Sequence, residues 1–317
     1  MLNKLEIEGL YGLYNYSLDF TQGEDNRLKI ITGPNGYGKT TVLQLIYALY
    51  GKDTDVFYKV PFSRLFFCFE DYIILVRQIR TSTQPDEESD LPGDEEISLS
   101  FEFMNVKKDG DKPSEELDAE KGDERIDGSL ELVLNSMKCF YLTDKRIILR
   151  NQEQRKSLKD ADSGASMENM AGRLKEAIAR GDNERGIKFF RKLVSYFQFA
   201  DKEMMLDEKF GIRFKINNAS KTIIPVTELS SGEKHVLLQL FELVFDGKAG
   251  DLVMIDEPEL SFHPAWLNVY VSVLEKIQDF KLEEGRDMQI ILATHSSMLV
   301  GGRWGETLDL FSLRNNG

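Results

Sequence analysis

Residues 33–41, GPNGYGKTT, constrain this chain more than any other stretch, because the spacing G-x-x-x-x-G-K-[ST] requires a buried strand before it and a helix after it. Both are present. An apolar run, Leu28-Lys-Ile-Ile, precedes it, and a helix-like segment from Val42 to Leu49 follows. Glycines at 33, 36 and 38 let backbone N–H groups turn inward around an anion, and the helix N-terminus adds partial positive charge. Lys39 would place a point charge between the β- and γ-phosphates of a nucleotide, and the Thr40 hydroxyl would ligate Mg²⁺. Asn35, Gly36, Gly38 and Thr41 complete the expected nucleotide cup.

Three further segments have the same logic. Leu252-Val-Met-Ile-Asp-Glu is an apolar strand ending in two acids. Asp256 is expected to hold the Mg²⁺ through a water, with Glu257 as general base for the attacking water. Gln289-Ile-Ile-Leu-Ala-Thr-His is a second strand with a polar end, where catalytic groups of parallel sheets gather, so His295 is expected to sense the γ-phosphate. Ser230, Ser231, Gly232 and Glu233 open a helix and would offer free backbone N–H groups and hydroxyls to an anion. His235 and His263 flank these motifs and suit packing or orientation at least as well as chemistry.

The order of loop, serine-glycine signature, Asp-Glu strand and histidine resembles the ATP-binding-cassette (ABC) ATPases. Pro-Asn-Gly in the loop, Ser-Ser-Gly-Glu-Lys in the signature and Glu-Pro-Glu-Leu-Ser-Phe-His-Pro after Asp256 resemble the RecF and SMC branch, and the tail after Thr294 resembles short antiphage-defence (Septu-like) ATPases. The resemblance implies an α/β P-loop fold with an ABC-type head: a mixed central sheet, an antiparallel β layer and a helical lobe. It also implies ATP and Mg²⁺ as cofactors, ATP hydrolysis, and a homodimer joined head to tail through ATP, with Ser230, Ser231, Gly232 and Glu233 acting in trans. Antiphage defence or DNA repair is the implied setting, with a separate effector such as a nuclease. A transporter motor subunit and a non-hydrolysing scaffold are the alternatives. Leu260 to Pro264 stands where the family has its D-loop; Gln78, Gln152 and Gln154 all qualify as the Q-loop glutamine.

Charge divides the chain further. The formal net charge of -14 argues against a protein that coats nucleic acid through a broad basic surface. From Thr81 to Gly128 there are 17 acids against 5 bases, read as solvated loops around one strand at residues 97–103. From Lys145 to Lys192 there are 13 bases against 7 acids, in a helical pattern whose Arg185, Lys188, Arg191 and Lys192 fall away from an apolar face and would suit nucleic acid or an acidic partner. The expected organisation is one head over residues 1–317: a β layer with the phosphate loop (1–80), the acidic insertion (81–128), a helical lobe with the signature (145–235) and the acid and histidine strands (250–317). No run is long and apolar enough for a membrane span and no signal peptide is visible, so a cytoplasmic location is expected. Cys68 and Cys139 read as buried thiols.

Overall fold

Apolar residues that alternate along the amino-terminal segments can share one face of a sheet only if neighbouring strands keep register. The computed structural model describes residues 1–23, 26–82, 95–105, 128–143, 146–150, 159–160, 164–199, 201–248, 251–283, 285 and 287–314. They fall into two units, Met1–Lys138 with Gly305–Gly317, and Cys139–Trp304.

The first unit contains β1 (Leu2–Leu10), β2 (Tyr14–Asp19), β3 (Leu28–Thr32), β4 (Arg64–Phe69), β5 (Tyr72–Ser82) and β6 (Glu95–Asn105), with helices α1 (Lys39–Gly51), α2 (Thr54–Lys59) and α3 (Gly128–Ser136). Five strands form an antiparallel sheet in the order β2-β1-β4-β5-β6. Its register aligns Leu18, Leu5, Phe67 and Ile74 in one row and Tyr16, Ile7, Leu65 and Val76 in the next. All eight are buried, each contributing about 1.5–3 kcal/mol relative to exposure. The strand expected at 97–103 is an integral member of this layer: β6 pairs with β5 from Tyr72–Asn105 to Ser82–Glu95 and sets Phe101 and Phe103 opposite Val76 and Ile74. Residues 83–94 and 106–127 of the acidic stretch lie outside the described residues, as do Gln152 and Gln154. A separate parallel pairing joins β3 to the last strand, Thr307–Asp309. Buried Lys29 of β3 bonds to Glu306 beside that strand.

The second unit contains β7 (Cys139–Leu142), β8 (Arg146–Arg150), β9 (Lys159–Asp160), α4 (Gly164–Arg180), α5 (Glu184–Tyr196), β10 (Lys202–Asp207), β11 (Gly211–Ile216), β12 (Ile223–Pro225), α6 (Ser231–Phe241), β13 (Leu252–Asp256), α7 (Pro264–Leu282), β14 (Gln289–Ala293) and α8 (Ser297–Val300). β13 lies between β14 and β7, parallel to both. Every residue of these three strands is buried, which explains why their sequences are continuous apolar runs rather than alternating ones. β10, β11 and β12 form a separate antiparallel meander. The fold is therefore α/β, with parallel and antiparallel sheets.

α5 buries Phe190, Leu193 and Val194, as its periodicity requires, and its basic residues are exposed. Part of that basic face is already neutralised: Arg185 pairs with Glu283 and covers the Phe280 ring, and Lys188 pairs with Glu184 at 3.0 Å. Neither cysteine forms a disulfide; Cys139 is buried, and burial pushes the half-buried Cys68 thiol upward. No described helix is long and apolar enough to cross a membrane.

Candidate nucleotide-binding and catalytic residues

In the first unit, the phosphate loop runs from the end of β3 to the first turn of α1. Gly33, Gly36 and Gly38 adopt φ values of 142°, 86° and 85°, in the region where a side chain would strain the backbone. Lys39, buried to 5% exposure, donates from Nζ to the carbonyls of Gly33 at 3.0 Å and Pro34 at 3.4 Å, so its ammonium lies inside the curl of the loop. No side chain caps α1 and no acid stands in its first turn, which keeps that helix end electropositive. Asn35, Gly36 and Thr40 are exposed. Two tyrosines that sequence reasoning overlooked brace the loop: Tyr16 donates to the Tyr37 carbonyl at 2.8 Å, and the Tyr11 hydroxyl lies 3.2 Å from Thr41 Oγ1.

In the second unit, β13 and β14 end side by side. The Glu257 N–H extends the ladder by donating to the Ala293 carbonyl at 2.9 Å, which brings Glu257 beside Thr294 and His295. His295 Nδ1 is 2.6 Å from Glu257 Oε2 and 3.1 Å from Glu259 Oε1. Carboxylate oxygens accept, so Nδ1 is the donor in both contacts. Glu259 was missed in the sequence reading as a site residue. Its Oε1 accepts from the Thr294 hydroxyl at 2.5 Å and from the His295 N–H at 3.0 Å, so it sets both the backbone and the ring of His295. The signal was present in the repeated acid of Glu-Pro-Glu, but nothing in the sequence aligns that acid with Thr294. Asp256 is 8% exposed and accepts from the Tyr141 hydroxyl at 3.1 Å, an orienting contact supplied by neighbouring β7.

The serine-glycine turn differs from expectation in one respect. Ser230 caps α6, but its hydroxyl is not free: it donates to Glu233 Oε2 at 2.9 Å, and the Ser230 N–H donates to the same oxygen at 2.9 Å. The reason is a capping box, in which the third helical residue returns to the cap and competes for its polar groups. Ser231 is exposed and Gly232 half-buried. A Cβ on Gly232 would stand 2.8 Å from the Ser261 carbonyl, so close packing of the turn against the following loop already demands a glycine. Burial pushes the Glu233 carboxyl up, yet the ammonium of Lys202 at 2.7 Å and the two Ser230 donors more than offset it and hold the group below its ordinary range. The turn opens on a groove of about 880 Å³, lined by Lys202, Ser230, Gly232, Leu260, His263 and Trp266 among others.

Three other candidates have structural partners. Gln78 is a buried brace: its oxygen accepts from the Phe62 N–H at 3.1 Å and its amide donates to the Phe57 and Val60 carbonyls. His263 caps α7 by accepting from the Ala265 N–H at 3.2 Å. Buried His235 lies 2.5 Å from the Gln239 amide, whose oxygen accepts from Tyr270 at 2.8 Å.

Residues 29–301 match the AAA_21 family, described as "AAA domain, putative AbiEii toxin, Type IV TA system". No curated protein matches the chain. Among solved structures, an SMC head domain from Thermotoga maritima is similar at 15% identity, covering 94% of this chain and 90% of that one with a TM-score of 0.47. An SMC head bound to the C-winged helix domain of ScpA is similar at 13% identity, with the same coverages and a TM-score of 0.46. An SMC head with an extended coiled coil, bound to the C-terminal domain of ScpA derived from Pyrococcus furiosus, has 13% identity over 94% and 90% of the two chains and a TM-score of 0.41.

Proposed function

We propose, from the premise that this chain belongs to the AAA_21 family of AAA domains, that it binds ATP with Mg²⁺ and hydrolyses it in an ABC-type head-to-tail homodimer. The observation that carries this reading is the pairing of Glu257 with His295 at 2.6 Å, at the carboxyl ends of adjacent parallel strands. That edge is where parallel sheets collect catalytic groups. A glycine loop whose three key glycines all take positive φ supports the nucleotide half of the reading.

Asn35, Gly36, Gly38, Lys39, Thr40 and Thr41 would bind the phosphates. On the motifs alone, Thr40 and Asp256 would hold Mg²⁺, since a hydroxyl and a carboxylate are hard oxygen donors of the kind it prefers, and the ion would neutralise phosphate charge. Glu257 accepts the proton of the attacking water. His295, fixed by Glu259, keeps that carboxylate in place and reads the γ-phosphate. Ser230, Ser231, Gly232 and Glu233 meet the phosphate held by the partner subunit, through first-turn N–H groups more than through the Ser230 hydroxyl. Family and motif further favour a role in antiphage defence or DNA repair with a separate effector, and the exposed Arg191 and Lys192 on α5 suit an acidic partner or nucleic acid.

The test is ATP turnover and direct ATP binding. The wild-type chain should hydrolyse ATP only with a divalent cation, and Lys39→Ala should bind ATP at least about 100-fold more weakly, having lost its charge-assisted contacts. Wild-type affinity in Lys39→Ala would refute the assignment of the loop.

A further inference from the structure

The serine-glycine turn has a feature at odds with meeting an anion. Glu233 lies in the first turn of α6, is 4% exposed, and wraps its carboxylate around Ser230. A carboxylate there stabilises the helix end, but it also opposes an approaching phosphate, since like charges in a poorly hydrated setting repel strongly. One cation answers it. Lys202 Nζ lies 2.7 Å from Glu233 Oε1, leaving Oε2 for the Ser230 N–H and hydroxyl.

The connector from α5 delivers that ammonium with a constrained backbone. Gln198 and Asp201, both non-glycine, take φ of 43° and 51°. The Lys202 N–H donates to the Phe199 carbonyl at 2.7 Å, and the Asn217 N–H donates to the Asp201 carbonyl at 2.6 Å. Left-handed non-glycine residues persist where the surroundings over-determine them, and here they bring Lys202 to the wall of the groove that also contains Ser230 and Gly232. Helix stability alone would be served by the capping box without this lysine.

We propose that Lys202 is a positioning residue for the signature turn: it fixes and neutralises Glu233, so that Ser230 stays the helix cap and the turn meets an anionic phosphate without an uncompensated carboxylate. The inference rests on the reading of this turn as the in-trans contact to the γ-phosphate.

Two measurements test it. Backbone hydrogen exchange needs no turnover: Lys202→Met should raise exchange of the Ser230 and Glu233 amides at least about tenfold while leaving the buried strands β13 and β14 protected, because Glu233 loses the group that orients it. Unchanged exchange at both amides would overturn the inference whether or not the chain is an ATPase. In steady-state turnover, Lys202→Met should lower kcat about tenfold with KM for ATP within twofold, and Lys202→Arg should restore most of the loss. If Lys202→Met keeps wild-type kcat while Ser230→Arg abolishes it, the turn acts without Lys202. Should wild type itself fail to hydrolyse ATP, the ATPase reading fails, and the exchange result alone decides whether Lys202 sets the turn.

Discussion

Glu257 holds a left-handed backbone, φ 46° and ψ 53°, that a non-glycine residue adopts at a cost of about 1–3 kcal/mol. The Ala293 carbonyl and the ring of His295 hold it there, and His295 is in turn anchored by Glu259. The strain thus aims one carboxylate out of the end of a buried strand. If Glu259 is the anchor, Glu259→Ala should lower kcat about tenfold or more with ATP affinity within twofold, since each lost hydrogen bond to a charged group is worth about 1.5–3 kcal/mol. Glu259→Gln retains an acceptor and should lose distinctly less; equal losses would mean the charge rather than the anchoring matters. The placement of Asp256, Glu257 and His295 at strand ends was legible because each follows an apolar run with a polar residue, a break that burial rarely permits by accident. Glu259, Tyr141 and Tyr11 were not, since each acts on a partner far away in the chain that only the strand order brings near.

At the scale of elements, periodicity was informative wherever one face is buried. The alternating strands of the antiparallel layer, the apolar stripe of α5 and the apolar runs of β13 and β14 all follow from which faces are covered. β6 shows the limit: its alternation marked a strand, but surrounding acids disguised its full pairing with β5. Lys202 and Glu233, 31 residues apart, could not be paired from sequence. Their contact has a pH signature. Because the folded Glu233 carboxyl lies below its ordinary value of 4.5, its contribution to stability is fully present above about pH 4.5 and is lost as the pH falls through the depressed value. Thermal unfolding of wild type and Glu233→Gln should therefore differ most near neutral pH and converge as the solution is acidified below 4.5. A constant gap across that range would show that the carboxylate's charge contributes nothing.

For the whole molecule, the described residues form two units, one containing the glycine loop and the other the acids, the histidine and the serine-glycine turn. The AAA_21 match spans both. The chain-wide charge argues against a broad nucleic-acid coat, but it could not say which basic residues pair within the chain, and Arg185 and Lys188 do. The central claim is hydrolysis by Glu257 between two chains clamped on ATP, and the measurement closest to it is ATP-dependent sizing of Glu257→Gln alongside its turnover. Loss of the base should lower kcat by about 10²–10⁴-fold with ATP still bound, and a stable dimer should appear with Mg²⁺ and ATP at concentrations where the nucleotide-free chain is mainly monomeric. Turnover at the wild-type rate, or a chain that binds ATP and stays monomeric, would contradict the account.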